Sequence, residues 1–243
     1  MLRPPYNSSL ASTVETKYNR ATMQKGWMNL SQLAIFFDLD GTLTDSGEGI
    51  INCAQLALRH FGITADDRQA LRAFVGPPLR ESFPRFGVPE DRVEEAVAVF
   101  RSRYLTVGKF ENTPYSGIHP LLEQLTQAGF PLYVATSKPE ETAVEILKKF
   151  QLDRYFIRIC GATMNGTRDS KESVIRHLLS ALPEDQAALM VGDTIYDVEG
   201  AAAHGITTIG VSWGYGNTAE MCQAGAIAIA HSPAELYRLI LEQ

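Results

Sequence analysis

The sequence predicts an α/β fold: a doubly wound parallel sheet with an all-helical segment inserted near its start. Three observations carry that reading. Five short apolar runs, Leu33 to Leu39, Pro131 to Ala135, Tyr155 to Cys160, Ala187 to Val191 and Ile206 to Ser212, have the continuous hydrophobicity of strands buried on both faces. Helical patterns separate most of them, as parallel pairing requires. The stretch between the first run and Leu121 breaks this rhythm and carries helical spacing alone.

Taken in order, residues 1–30 set Arg3, Lys17, Arg20 and Lys25 against one acid, Glu15, among many Ser and Thr and without an apolar stripe, which predicts a disordered extension. Residues 31–46 contain the first strand. In residues 47–114, Ile50, Ala54, Leu58 and Phe61, then Val93, Ala96, Val97, Phe100 and Tyr104, recur at helical intervals and predict a four-helix insertion. Gly47, Gly49 and the Pro114 to Gly117 turn are the places where the chain is expected to cross between the two units. Residues 115–243 complete the α/β unit: Leu121, Leu122 and Leu125 form a helical stripe ending at Gly129, and Val144, Leu147 and Phe150 form another after Pro139. At 243 residues and 45% hydrophobic content, one core with an insertion is well within reach.

Charge and cysteine usage narrow the function. With 22 Lys and Arg against 28 Asp and Glu, the formal charge is -6, which opposes nucleic acid and anionic lipid at long range. An anionic substrate must then be held by local cations or backbone N–H groups. No apolar run approaches the roughly 18 residues of a membrane helix. Cys53, Cys160 and Cys222 show no paired spacing and read as reduced thiols of a cytoplasmic protein. The five histidines have no ligand spacing. Gly214 to Ala219 matches a G-x-G-x-x-A dinucleotide pattern, but the following strand-like run, Ala226 to Ala230, ends in His231 rather than an acid, so nicotinamide binding is rejected. No feature indicates an oligomeric state.

Ligands of open α/β sheets sit beyond the carboxyl ends of the strands. There the first strand leads into Asp38-Leu39-Asp40-Gly41-Thr42-Leu43, the second into Thr136-Ser137-Lys138, and the fourth into Gly192-Asp193-Thr194-Ile195-Tyr196-Asp197. Asp169 to Glu172 opens a helix containing Val174, Ile175 and Leu178. Two residues apart on extended backbone, Asp38 and Asp40 project to one side, roughly 6–7 Å from each other. Asp38, Asp193 and a phosphate dianion gathered at one edge would repel by roughly 4 kcal/mol per charge pair at 4 Å and an effective dielectric of about 20. A divalent cation answers that repulsion, and oxygen donors without thiolate or imidazole favour Mg²⁺ over Zn²⁺. By pattern alone, Lys138 and Lys171 are hard to separate as the cation at the reacting group.

The run Asp38 to Leu43, the hydroxyl of Thr136 after a strand, Lys171, and the run Gly192 to Asp197 together resemble the four motifs of the haloacid-dehalogenase-like (HAD) hydrolase superfamily, over nearly the whole chain from residue 33. The inserted helices resemble the family's small helical cap on a Rossmann-like core. Gly76 to Glu81 and Cys160 to Thr163 resemble the branch of phosphoglycolate phosphatases and 5'-nucleotidase-like phosphatases. That resemblance implies an Mg²⁺-dependent phosphatase of a small phosphorylated metabolite, phosphoglycolate or a nucleoside monophosphate. Asp38 would become phosphorylated, and Asp40 would protonate the leaving alcohol and then deprotonate water. It also implies Mg²⁺ held by Asp38, the Asp40 carbonyl and Asp193, with Asp197 behind them, and phosphoryl contacts from Gly41, Thr136, Ser137 and Lys171. Arg80, in the helical insertion, is the candidate contact to the leaving group. Asp40 is expected to hold its proton through partial burial and a neighbouring anion. An acid at 40 has no use when halide leaves, which disfavours a dehalogenase. A phosphomutase of the same fold and a non-catalytic phosphoryl-binding switch are the alternatives.

Overall fold

The first apolar run forms β1 (Leu33–Phe37), the middle of the sheet. Side chains alternate across a strand, so Ile35 and Phe37 enter one cluster with Leu122, Val134 and Val191, while Ala34 and Phe36 enter another with Val174, Leu178 and Met190. Both faces are thereby covered, and the run stays apolar until Asp38. This computed structural model describes residues 33–184 and 186–243. The extension expected over residues 1–30 lies outside the described residues.

After β2 (Thr44–Asp45) the chain forms α1 (Gly47–His60), α2 (Arg68–Leu71), α3 (Leu79–Arg85) and α4 (Val93–Tyr104), then returns through β3 (Thr113–Pro114). These helices bury their own cluster, with Ile50, Leu58, Phe83, Val97 and Phe100 at its centre. All five residues of the Val93-to-Tyr104 stripe are buried. The crossing is an antiparallel ladder of Thr44 with Pro114 and Asp45 with Thr113. Gly47 and Gly49 lie past it, inside α1. Gly49 is small for packing rather than for bending: a Cβ there would sit 1.9 Å from the Gly108 carbonyl oxygen.

The second part runs α5 (Ile118–Gln127), β4 (Leu132–Pro139), α6 (Glu140–Lys149), β5 (Arg158–Ala162), α7 (Lys171–Leu179), β6 (Ala187–Gly192), α8 (Ile195–Ala202), β7 (Thr207–Val211), α9 (Thr218–Gln223), β8 (Ala228–Ala230) and α10 (Pro233–Leu241). Strand order is β5-β4-β1-β6-β7-β8, with every neighbouring pair parallel. From β1 the chain moves outward to one side and returns on the other. That reversal beside β1 is where doubly wound sheets open a crevice.

Four elements depart from the sequence reading. β4 continues past Ala135 to Pro139, so Thr136 to Lys138 lie within it, and β8 adds a sixth strand to the five. The third strand starts at Arg158 rather than Tyr155, because Asp153–Tyr155 is a single 3₁₀ turn whose half-buried Tyr155 and Phe156 pack against the core from outside the sheet. An apolar run does not distinguish those two ways of burying aromatic rings. In α6 the buried stripe is Ala143, Ile146 and Leu147, with Val144 turned partly outward.

Candidate active site

Backbone pairing sets the floor of the site. The Asp38 N–H donates to the Val191 carbonyl at 2.9 Å, continuing the β1–β6 ladder one residue past the strand. Phe37 pairs with Val191, so Asp38 and Asp193 emerge side by side at the carboxyl edge. Lys171 opens α7, where the Ser170 hydroxyl caps the helix by accepting the Ser173 N–H at 3.2 Å. Its Nζ lies 2.7 Å from Asp38 Oδ1 and 2.7 Å from Asp197 Oδ1, and donates to the Ala135 carbonyl at 2.9 Å. Asp197 Oδ2 accepts both the N–H and the hydroxyl of Thr194 at 3.1 Å, which fixes it at the first turn of α8. Asp193 Oδ2 accepts the Tyr215 N–H at 2.8 Å, and Oδ1 accepts the Thr42 hydroxyl at 3.3 Å.

Electrostatically the floor is over-supplied with negative charge. One oxygen from each of Asp38, Asp193 and Asp197 falls within 4.8 Å of the others, and all three residues are buried. Burial pushes the Asp38 carboxyl up to about 6, with Asp197 and Asp40 adding to the rise and Lys171 opposing it. Burial likewise drives Asp193 well above the usual carboxylate range, and Asp197 and Asp38 reinforce it. For Lys171 burial works against the charge, but Asp197 and Asp38 outweigh it and the ammonium is held more firmly than usual. Three buried carboxylates around one ammonium, offering oxygen donors alone, fit a hard divalent cation. Asp193 and Asp197 are each engaged on both oxygens, whereas Asp38 meets Lys171 through Oδ1.

Above this floor lies a cavity of about 390 Å³. Asp38, Asp40, Thr136, Ser137, Lys138 and Lys171 line it from the sheet; Ile50, Phe74, Val97, Phe100, Tyr104 and Leu105 line it from the helical segment. Thr136 is buried, and its hydroxyl accepts the Lys138 N–H at 3.2 Å. Ser137 is half-buried and caps nothing: α6 begins at Glu140 after Pro139. Arg80 reaches the cavity, yet its guanidinium also grips Glu94 at 3.0 Å. Gly41 lies outside the lining; its N–H is spent on the Thr44 carbonyl at 2.8 Å, and its φ of +88° suits glycine. Asp40 departs from expectation, because the partner in contact with it is a cation: Lys138 Nζ lies 2.8 Å from Asp40 Oδ2.

Sequence reasoning missed three contributors. Lys138 entered only as a rival to Lys171, although the two serve different carboxylates. Tyr104 was accounted for by its helical spacing, which is satisfied by packing and gives no hint of a polar role. The Gly214-Tyr215-Gly216 segment failed as a dinucleotide motif, and its small residues serve Asp193 instead. A Cβ at Gly214 would lie 2.3 Å from Asp193 Oδ2, and one at Gly216 only 1.9 Å from the Asp193 carbonyl oxygen. Gly216→Ala should therefore push this loop off Asp193 at a cost of about 1–3 kcal/mol, the usual range for overpacking. Thermal melting would register that as a loss of several degrees; an unchanged melting temperature would mean the loop moves freely.

The architecture recurs in known proteins, and the sequence has relatives among them. A family model described as haloacid dehalogenase-like hydrolase matches residues 35–211. A 5'-nucleotidase of Pseudomonas aeruginosa is 46% identical over 191 residues, covering 77% of this chain and 86% of the relative. The tyrosine-protein kinase PtkA of Mycobacterium tuberculosis H37Rv is 42% identical over 199 residues, covering 82% and 68%. Among solved structures, a predicted phosphatase from Clostridium acetobutylicum superposes with a TM-score of 0.83 at 41% identity, covering 87% of this chain and 99% of that one. The names of these relatives diverge although the fold is shared. Given a family match over most of the described residues and a Lys171-centred carboxylate cluster at the sheet's reversal, this chain belongs to the haloacid dehalogenase-like hydrolase family.

Proposed function

We propose that this protein hydrolyses phosphomonoesters, with a nucleoside monophosphate as the preferred substrate class. The observation that carries the reading is the pairing of Asp38 with Lys171 on the floor of a cavity whose roof is apolar and aromatic. An Asp38 oxygen attacks phosphorus as the bond to the leaving alcohol breaks, and Asp40 gives that alcohol its proton. Water then attacks the aspartyl phosphate, Asp40 takes the water's proton, and inorganic phosphate departs with Asp38 restored. Lys171 and the Thr136 hydroxyl hold the phosphoryl oxygens. Asp38, Asp193 and the Asp40 carbonyl would hold Mg²⁺, which would supply positive charge to offset the crowded anions.

The roof favours a flat, apolar leaving group. Phe74, Phe100 and Tyr104 line it with aromatic carbon suited to a base, and of the arginines beside them Arg80 is committed to Glu94 while Arg101 is the cation a second carboxylate would have to use. The relative named 5'-nucleotidase supports the same choice. The test is phosphate release from nucleoside monophosphates, phosphoglycolate and sugar phosphates, with Mg²⁺ and after chelation. Nucleoside monophosphates should give the highest kcat/KM, and chelation should abolish turnover. With limiting Mg²⁺, activity should rise as pH passes through about 6, where Asp38 loses its proton; more Mg²⁺ should move that limb lower, since cation and proton compete for one carboxylate. Phosphoglycolate as the best substrate would overturn the leaving-group assignment, and isomerised sugar phosphate without free phosphate would reveal a mutase.

A further inference from the structure

We infer that Tyr104 and Lys138 form a positioning pair that sets the Asp40 carboxylate for proton transfer while the helical segment covers the site. This rests on the acid–base assignment of Asp40 made above. Lys138, near the carboxyl end of β4, is only 8% exposed, and its Nζ lies 2.8 Å from Asp40 Oδ2. The same ammonium donates to the Tyr104 hydroxyl and lies 4.7 Å from the centre of that ring. Tyr104 closes α4 and is 6% exposed, and its ring stacks on Phe100 with centroids 5.3 Å apart. One chain of contacts thus runs from the core of the helical segment, through a lysine of the sheet, to the acid–base carboxylate.

Nucleophilic attack does not need this chain, because Asp38 has its own lysine on α7. Burying a second ammonium is costly unless it is paired, and here both of its side-chain partners are defined. Burial pushes the Tyr104 hydroxyl up to about 12, so it stays a neutral acceptor for Lys138. The consequence for Asp40 is asymmetric. Oδ2 is held, while Oδ1 has no hydrogen-bond partner among the described residues and the residue lines the cavity. Oδ1 is buried too, so Lys138 fixes the carboxylate through Oδ2 and sets how the residue faces the cavity. Should the helical segment lift, Tyr104 would leave with it and Lys138 would keep one anchor instead of two.

The leaving group tests this directly. kcat/KM reports the phosphorylation step, in which an alkoxide needs a proton and 4-nitrophenolate does not. Against a nucleoside 5'-monophosphate, Tyr104→Phe should lower kcat/KM about tenfold and Lys138→Met about a hundredfold, within the range of acid–base catalysis. Against 4-nitrophenyl phosphate both losses should shrink severalfold relative to the nucleotide, and Asp40→Asn should show the same split. In the Asp40→Asn background, adding Lys138→Met should cost nothing further, because groups acting through one another are non-additive. Equal losses on both esters, or additive losses in the double variant, would mark packing alone and overturn the pairing. Circular dichroism checks folding; should Lys138→Met misfold, Tyr104→Phe, which keeps the ring, decides by itself. A wild-type protein that releases phosphate from neither ester would overturn the phosphatase reading, and this pair with it.

Discussion

Asp38→Asn should retain the fold and lose kcat by about 10⁴-fold or more, which is roughly 5 kcal/mol of barrier at about 1.4 kcal/mol per decade. An amide has the shape of the carboxylate but neither its charge nor its nucleophilic lone pairs. Folding is spared because Lys171 keeps Asp197 at 2.7 Å and the Ala135 carbonyl at 2.9 Å. The substitution also relieves a cluster of three carboxylates, Asp38, Asp193 and Asp197, of which only Asp38 and Asp197 touch the ammonium. Without metal, the variant should melt no lower than wild type, and the stabilisation conferred by Mg²⁺ should shrink. Phosphate release and paired melting curves with and without Mg²⁺ measure both effects. Activity within tenfold of wild type would place the nucleophile elsewhere, with water attacking phosphorus directly as the first alternative.

Much of this site was legible because its residues stand at strand ends, and strand ends are marked by an abrupt change from apolar to polar. Leu33 to Phe37 runs without interruption into Asp38, and Ala187 to Val191 runs into Gly192-Asp193. Parallel pairing of β1 with β6 then brings those carboxylates together with no further information required. Lys171 was harder, since its placement depends on how far α7 lies from β1, yet Ser170 and the first-turn position pointed the right way. The contribution of Tyr104 left no trace because its apolar ring satisfies the helix period, and a period reports burial without saying what the hydroxyl meets. The relation of Lys138 to Asp40 is likewise a contact between the end of β4 and the turn after β1, far apart in sequence. The Gly214 to Gly216 segment was visible as a pattern, but its meaning lay in the space beside Asp193, which only packing defines.

Lys171→Met should be the most destabilising single change on the floor of the site, and its pH dependence identifies the cause. Methionine roughly preserves the length of the side chain while removing the ammonium that touches Asp38 and Asp197. Breaking a buried ion pair by deleting one partner costs about 3–5 kcal/mol. At roughly 2–4 °C per kcal/mol for a chain of this size, melting should fall by about 6–20 °C at neutral pH. The sign of the pH effect follows from proton counts. Burial already lifts Asp38 from 3.8 to about 6, so between those values the folded state binds more protons than the unfolded one and stability declines as pH rises. Without the opposing charge of Lys171, the carboxylates hold their protons to higher pH and the declining limb extends upward. The gap between variant and wild type should therefore be narrow near pH 5 and widen toward pH 8, with activity lost throughout. Mg²⁺ should recover part of the lost melting temperature at pH 8, where the carboxylates are free to bind it. A deficit independent of pH would instead assign the loss to packing of the lysine stem, and the electrostatic account of the site would fail.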